Sequence, residues 1–168
     1  VPMIEPEVLL DGSHSVERSE EVTEATLRAT YAAIAAHDVS VEHLILKTSM
    51  VVSGKDSARQ APVDEVAERT VRVLKRTVPA AQPGIVFLSG GQSDLDATAH
   101  LNAMNNMKGV PWPLTFSYSR ALQNPALKAW SGKAANAAAA QKAFHHRAHM
   151  NGLAALGKWK PELERQAA

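Results

Sequence analysis

The sequence predicts an α/β fold built from parallel βαβ units, and three observations predict it. Four short apolar runs recur along the chain: Pro2 to Leu10, His43 to Lys47, Gly84 to Leu88 and Pro113 to Ser117. None alternates cleanly between apolar and polar residues, the pattern of buried parallel strands rather than half-exposed antiparallel ones. Stretches with helical spacing lie between the runs, so strand and helix alternate four times. A whole (β/α)8 barrel takes about 250 residues, and this chain has 168. Four units therefore make either an open doubly wound sheet or half of such a barrel.

Taken in order, the first run starts abruptly. Val1-Pro2-Met3-Ile4 reads as the middle of an apolar strand, and the residues are expected to be the C-terminal part of a longer polypeptide. Ser15 to Ala36 follows as a helix, with Leu27, Tyr31 and Ile34 at helical spacing among alanines. The clearest helix is Pro62 to Thr77, where Val63, Val66, Ala67, Thr70, Val71 and Leu74 form one stripe. Pro62 suits its first position, Asp64 and Glu65 its start, and Lys75 and Arg76 its end. A third helix begins after Gly91, where Ser93 and Asp96 resemble a capping box. Arg120 to Trp130 reads as helix, and so does an Ala-rich stretch from Lys133 to Leu156, ended by Gly157. No linker divides residues 1 to 168, which read as part of a single domain.

Composition narrows the function. The net charge is +1, so no basic field calls for nucleic acid or an anionic membrane. No run of about 18 apolar residues is present to span a bilayer. Cysteine is absent, which fits a reducing cytoplasm. No signal peptide is visible.

The chemistry concentrates at the strand ends. His43-Leu44-Ile45-Leu46-Lys47 is an apolar run closed by a single lysine. An ammonium among apolar neighbours loses its proton more readily, and the neutral amine can attack a carbonyl to form a Schiff base. The plainer alternative is a lysine that snorkels from a strand end. Glu5 and Glu7 stand two apart, so they leave one face of the first strand. Crowding favours the protonated form of one of them, giving a general acid, and the alternative is two surface acids. In a parallel sheet Glu5, Glu7 and Lys47 share one rim, and an acid there can protonate the carbinolamine hydroxyl so that it leaves as water. Ser89-Gly90-Gly91 ends the third strand and suits an anion, or merely a tight turn. Ser117 to Arg120 adds a guanidinium after the fourth strand, matched to phosphate geometry, or to a carboxylate partner. His145, His146 and His149 lack a further ligand and lie in a charged stretch expected to be exposed, so no metal is assigned there. Trp112, Trp130 and Trp159 are expected to serve packing.

Several motifs together resemble class I fructose-bisphosphate aldolase. They are Pro-x-x-Glu-Pro-Glu at Pro2 to Glu7, Leu46-Lys47 followed by Met50, and Phe87-Leu88-Ser89-Gly90-Gly91-Gln92-Ser93. Leu114-Thr115-Phe116-Ser117-Tyr118 with Arg120-Ala121-Leu122-Gln123, and Ala126 to Trp130, complete the set, which covers essentially the whole chain. The resemblance implies strands five to eight of a (β/α)8 TIM barrel plus a C-terminal helix. It implies reversible, metal-independent cleavage of fructose 1,6-bisphosphate to dihydroxyacetone phosphate and glyceraldehyde 3-phosphate. Lys47 would carry the imine, Glu5 would be the main acid/base, and Glu7 would tune the charge balance. Ser89, Gly90 and Gly91 would bind a substrate phosphate, completed by Ser117 and Arg120. A homotetramer is also implied, with sugar phosphates as partners and the imine in place of a cofactor. The chain departs from the family at Thr48-Ser49, where Pro-Asn is usual, and at Ser119, where glycine is usual. It ends Arg165-Gln166-Ala167-Ala168 without the terminal tyrosine of the animal enzymes, which points to a bacterial-type member. The family also draws an aspartate and further lysines from its first four strands, which this chain does not carry. Two other readings stand beside this one: a non-catalytic half-barrel that binds phosphate or a partner, and another Schiff-base lyase on the same barrel.

Overall fold

A computed structural model describes residues 1–167; Ala168, the last residue of the tail considered above, lies outside them. Along the chain run β1 (Met3–Ile4), α1 (Val16–Ala36), β2 (Ile45–Thr48), α2 (Val63–Thr77), β3 (Ile85–Phe87), α3 (Asp94–Asn105), β4 (Leu114–Phe116), α4 (Arg120–Trp130) and α5 (Ala137–Ala155). The strands form one parallel sheet in the order β1-β2-β3-β4. A doubly wound sheet reverses its strand order at a switch point; the described strands run consecutively.

The elements are shorter than the apolar runs, for identifiable reasons. The run from Pro2 to Leu10 pairs only at Met3 and Ile4. Pro6 has no N–H to give a neighbouring strand, so the ladder stops before it. His43 belongs to a single 3-10 turn, Val41–His43, and the second strand starts at Ile45. Pro62 caps α2 from outside instead of occupying its first turn. Lys133 and the three residues after it stand outside α5, with Ala134–Asn136 in a 3-10 turn. A further 3-10 segment, Pro161–Ala167, was not apparent in the sequence. The cap expected at Ser93 is present, its Oγ accepting from Asp96 N while donating to the Asp96 carboxylate, and Ser15, expected as the first helical residue, instead caps α1 by accepting from Arg18 N.

The strands are fully buried on one face only. Leu46, Ile85 and Leu114 lie in one cross-sheet row and are at most 3% exposed. Together with Phe87 they pack beneath Leu27 of α1, Val66, Val71 and Leu74 of α2, and Leu101 and Met104 of α3. Each such side chain contributes roughly 1.5–3 kcal/mol by leaving water. Val73 also belongs to this core, outside the stripe read from the sequence. The other face carries Ile45, Lys47, Val86 and Thr115, all only partly covered. The expectation of strands buried on both sides is therefore met on the helix-covered face and fails on the other.

The loops after β1 and β2 lie against each other. Lys55 N donates to Leu10 O at 2.8 Å, Gly54 N to His14 O at 2.9 Å, and Asp56 N to Gly12 O at 3.0 Å. A Cβ on Gly54 would stand 2.3 Å from Gly12 O, so only glycine fits this crossing.

Candidate active site

Lys47 occupies the partly open face of the sheet, in the cross-strand row with Val86 and Thr115. Its ammonium is not surrounded by apolar groups as the sequence predicted. Lys47 Nζ lies 3.0 Å from Glu5 Oε2, with the lysine side chain 21% exposed and the carboxylate 54% exposed. Such a pair is worth no more than about 1 kcal/mol of stability.

Glu5, Glu7 and Lys47 open onto one cleft of about 140 Å3. The two carboxylates reach it together because alternate residues of an extended chain share a side. Ser89, Gly90, Ser117 and Arg120 line the same cleft. Gly90 and Gly91 both have positive φ, 60° and 98°, which lets the chain turn sharply and close a bond from Gln92 N to Ser89 O at 2.9 Å. Arg120 is the first residue of α4, and its guanidinium lies beside Gly91, where a Cβ would stand 3.5 Å from Nη1, an ordinary contact distance. Gly91 itself faces an adjoining cleft of about 440 Å3. Leu88 and Ser119 complete the first cleft without having been read as site residues. Ser119 had a signal, its place beside Arg120; Leu88 had none.

The cleft thus joins an amine, two carboxylates, hydroxyls and a guanidinium. It can add an amine to a carbonyl, move protons beside the adduct, and grip an anion a short distance away.

The histidine-rich stretch of α5 does not converge on one point. His146 Nε2 lies 2.8 Å from Glu164 Oε2, while the His145 and His149 rings stack 6.4 Å apart. His145 and His149 are exposed as expected, but Arg147 between them is 3% exposed. Trp112 is buried and donates to Pro79 O, Trp159 packs on the core and donates to Glu164, and Trp130 is 43% exposed.

A family model described as fructose-bisphosphate aldolase class-I matches residues 1–168. The chain is 58% identical over 161 residues to a probable fructose-bisphosphate aldolase class 1 of Xylella fastidiosa, covering 95% of this chain and 48% of that relative. It is 55% identical to fructose-bisphosphate aldolase 2 of Caenorhabditis elegans, covering 96% of this chain and 44% of the relative. A ternary co-crystal structure of the Plasmodium falciparum aldolase with TRAP and a small-molecule inhibitor superposes with a TM-score of 0.92 at 45% identity, covering 95% of this chain and 46% of the other. The chain therefore spans about half the length of the curated relatives it matches.

Proposed function

Because this chain belongs to the class I fructose-bisphosphate aldolase family, we propose that it supplies strands five to eight of a (β/α)8 barrel that reversibly cleaves fructose 1,6-bisphosphate. The products are dihydroxyacetone phosphate and glyceraldehyde 3-phosphate. The observation that carries this reading is Lys47 Nζ 3.0 Å from Glu5 Oε2, in a cleft shared with Ser89, Ser117 and Arg120. The consecutive strand order and the open sheet face support the half-barrel. In that arrangement residues 1–168 form one continuous part of a single barrel domain.

The Lys47 amine adds to the ketose carbonyl, whose oxygen takes up a proton to give a carbinolamine. Glu5 protonates that hydroxyl; it leaves as water, and the nitrogen lone pair closes the C=N+ bond. The iminium then accepts the electron pair of the adjacent carbon–carbon bond and becomes an enamine. A base removes the proton of the neighbouring hydroxyl, whose oxygen becomes the aldehyde. Protonation of the enamine carbon and attack of water on the imine release the second product and restore the amine. Because the iminium is the electron sink, the reaction needs no metal. Glu7 balances charge beside the pair. Ser89, Gly90 and Gly91 hold a phosphate by hydroxyl and backbone N–H, and Ser117 and Arg120 complete the grip. In the complete protein we expect a cytoplasmic homotetramer, a location supported by plant relatives named as cytosolic and cytoplasmic isozymes.

The test uses the complete polypeptide carrying this sequence. After incubation with dihydroxyacetone phosphate and borohydride, the expected product is a single covalent adduct on Lys47. Lys47→Ala should abolish the adduct and lower cleavage by on the order of 10,000-fold. An unmodified Lys47, or an active alanine variant, would overturn the reading and leave Ser89 and Arg120 as an anion site at most.

A further inference from the structure

We infer that Ser49 is a positioning residue for the lysine–carboxylate pair: its hydroxyl fastens the segment that carries Glu5 and Glu7 alongside β2. This inference rests on the imine reading of Lys47.

Pairing between β1 and β2 ends at Ile4 and Leu46, just where the functional residues begin. Pro6 cannot donate a ladder bond, so Glu5 to Glu7 would be held to β2 by side chains alone. Ser49 makes good that loss. Its Oγ accepts from Val8 N at 2.9 Å and donates to Val8 O at 3.2 Å. One hydroxyl satisfies both peptide groups of Val8, as the backbone of a neighbouring strand would otherwise do. Ser49 is 5% exposed, so water does not easily replace it. It stands two residues after Lys47, and Val8 stands one residue after Glu7. The acid-bearing segment is thereby fixed at both ends, by the Ile4 ladder and by Ser49. The backbone bonds of Leu10, Gly12 and His14 to residues 54–56 lie farther along and hold the loop rather than this segment.

The placement matters because proton transfer to a carbinolamine needs hydrogen-bond distance, and a misplacement of about 1 Å can cost roughly 100-fold in rate. Ser49 touches neither substrate nor reacting atoms, so it acts through Glu5.

The experiment compares wild type, Ser49→Ala and Ser49→Thr in the complete polypeptide by two readouts. The first is the rate constant and final extent of borohydride trapping with dihydroxyacetone phosphate. Ser49→Ala is expected to trap about tenfold more slowly, yet to reach the same extent of adduct, because the anion grip and the fold are retained. A merely structural role would lower the extent, the properly folded fraction, at an unchanged rate constant. Ser49→Thr, which keeps the hydroxyl, should restore the rate. The second readout needs no substrate: competitive acetylation of Lys47 against the exposed Lys108. Loosening Glu5 should make Lys47 acetylate several-fold faster in Ser49→Ala and not in Ser49→Thr. Wild-type values for Ser49→Ala in both readouts would overturn the inference. Failure of the wild type to trap at all would instead sink the imine reading, and the acetylation comparison would still decide whether Ser49 holds Glu5 against Lys47.

Discussion

His100 on α3 is 6% exposed, with Nδ1 2.6 Å from Gln92 Oε1. Burial pushes its imidazole down from 6.5 to about 4. The folded state therefore holds it neutral where the unfolded chain would bind a proton. Between pH 6.5 and about 4 the unfolded state carries more protons, so stability falls as the pH is lowered through that window. The full loss amounts to about 3 kcal/mol. His100→Asn, which can keep a bond to Gln92 without titrating, should flatten this limb of a stability–pH profile measured by urea denaturation. An unchanged slope would show that His100 protonates without penalty. At this scale the sequence revealed the reactive types, Lys47 closing an apolar run and Glu5 and Glu7 sharing a side. It could not reveal Ser49, since a serine in a strand-end loop acquires meaning only when Val8 is known to lie opposite it.

Helices α1 and α2 are joined by ion pairs whose members lie roughly 50 positions apart in sequence. Arg69 reaches Glu20 at 2.5 Å and Glu17 at 2.7 Å, and Arg72 reaches Glu20 at 3.1 Å. The Glu20 side chain is only 11% exposed, so it depends on both arginines. Removing one partner of a buried pair strands the other charge. Glu20→Ala should cost about 2 kcal/mol in urea unfolding, whereas removing the exposed Glu21 beside Arg18 should cost less than about 1 kcal/mol. Equal costs would mean that Glu20 is a surface charge in effect. Periodicity made both helices legible. Their facing charges were not, because each helix alone shows acids or bases at ordinary surface spacing.

Across the whole molecule, the closing 3-10 segment is held to α5 and α3 through one buried guanidinium. Arg147 Nη1 lies 2.5 Å from Glu164 Oε2, and Nη2 donates to Thr98 Oγ1 at 2.7 Å. Trp159 and His146 also bind the Glu164 carboxylate. Burial alone would raise that carboxyl, but the bonds from Trp159, His146 and Arg147 outweigh it and leave the group below its ordinary 4.5. Its contribution is therefore present above pH 4.5 and lost as the pH falls through the lower folded value. Glu164→Gln should destabilise by about 3 kcal/mol, since buried Arg147 keeps only the more distant carboxylate of Asp94, 3.7 Å from its Nε. The same change should hasten proteolysis at Arg165. A variant as stable and as protease-resistant as the wild type would mean that the segment is held by packing alone. No helix among the described residues is long and apolar enough to cross a membrane.

The chain order of strands and helices, the helix registers, the cap at Ser93, and the reactive types at Lys47, Glu5 and Glu7 were determined by sequence alone. Each depends on spacing between near neighbours, which local sterics and hydrogen bonding decide. Tertiary structure decided where each strand stops pairing, which sheet face the helices cover, and that Glu5 reaches Lys47. It also decided that Arg147 is buried. Those outcomes depend on register between segments far apart in the chain, where a shift of a single residue turns every side chain to the opposite face.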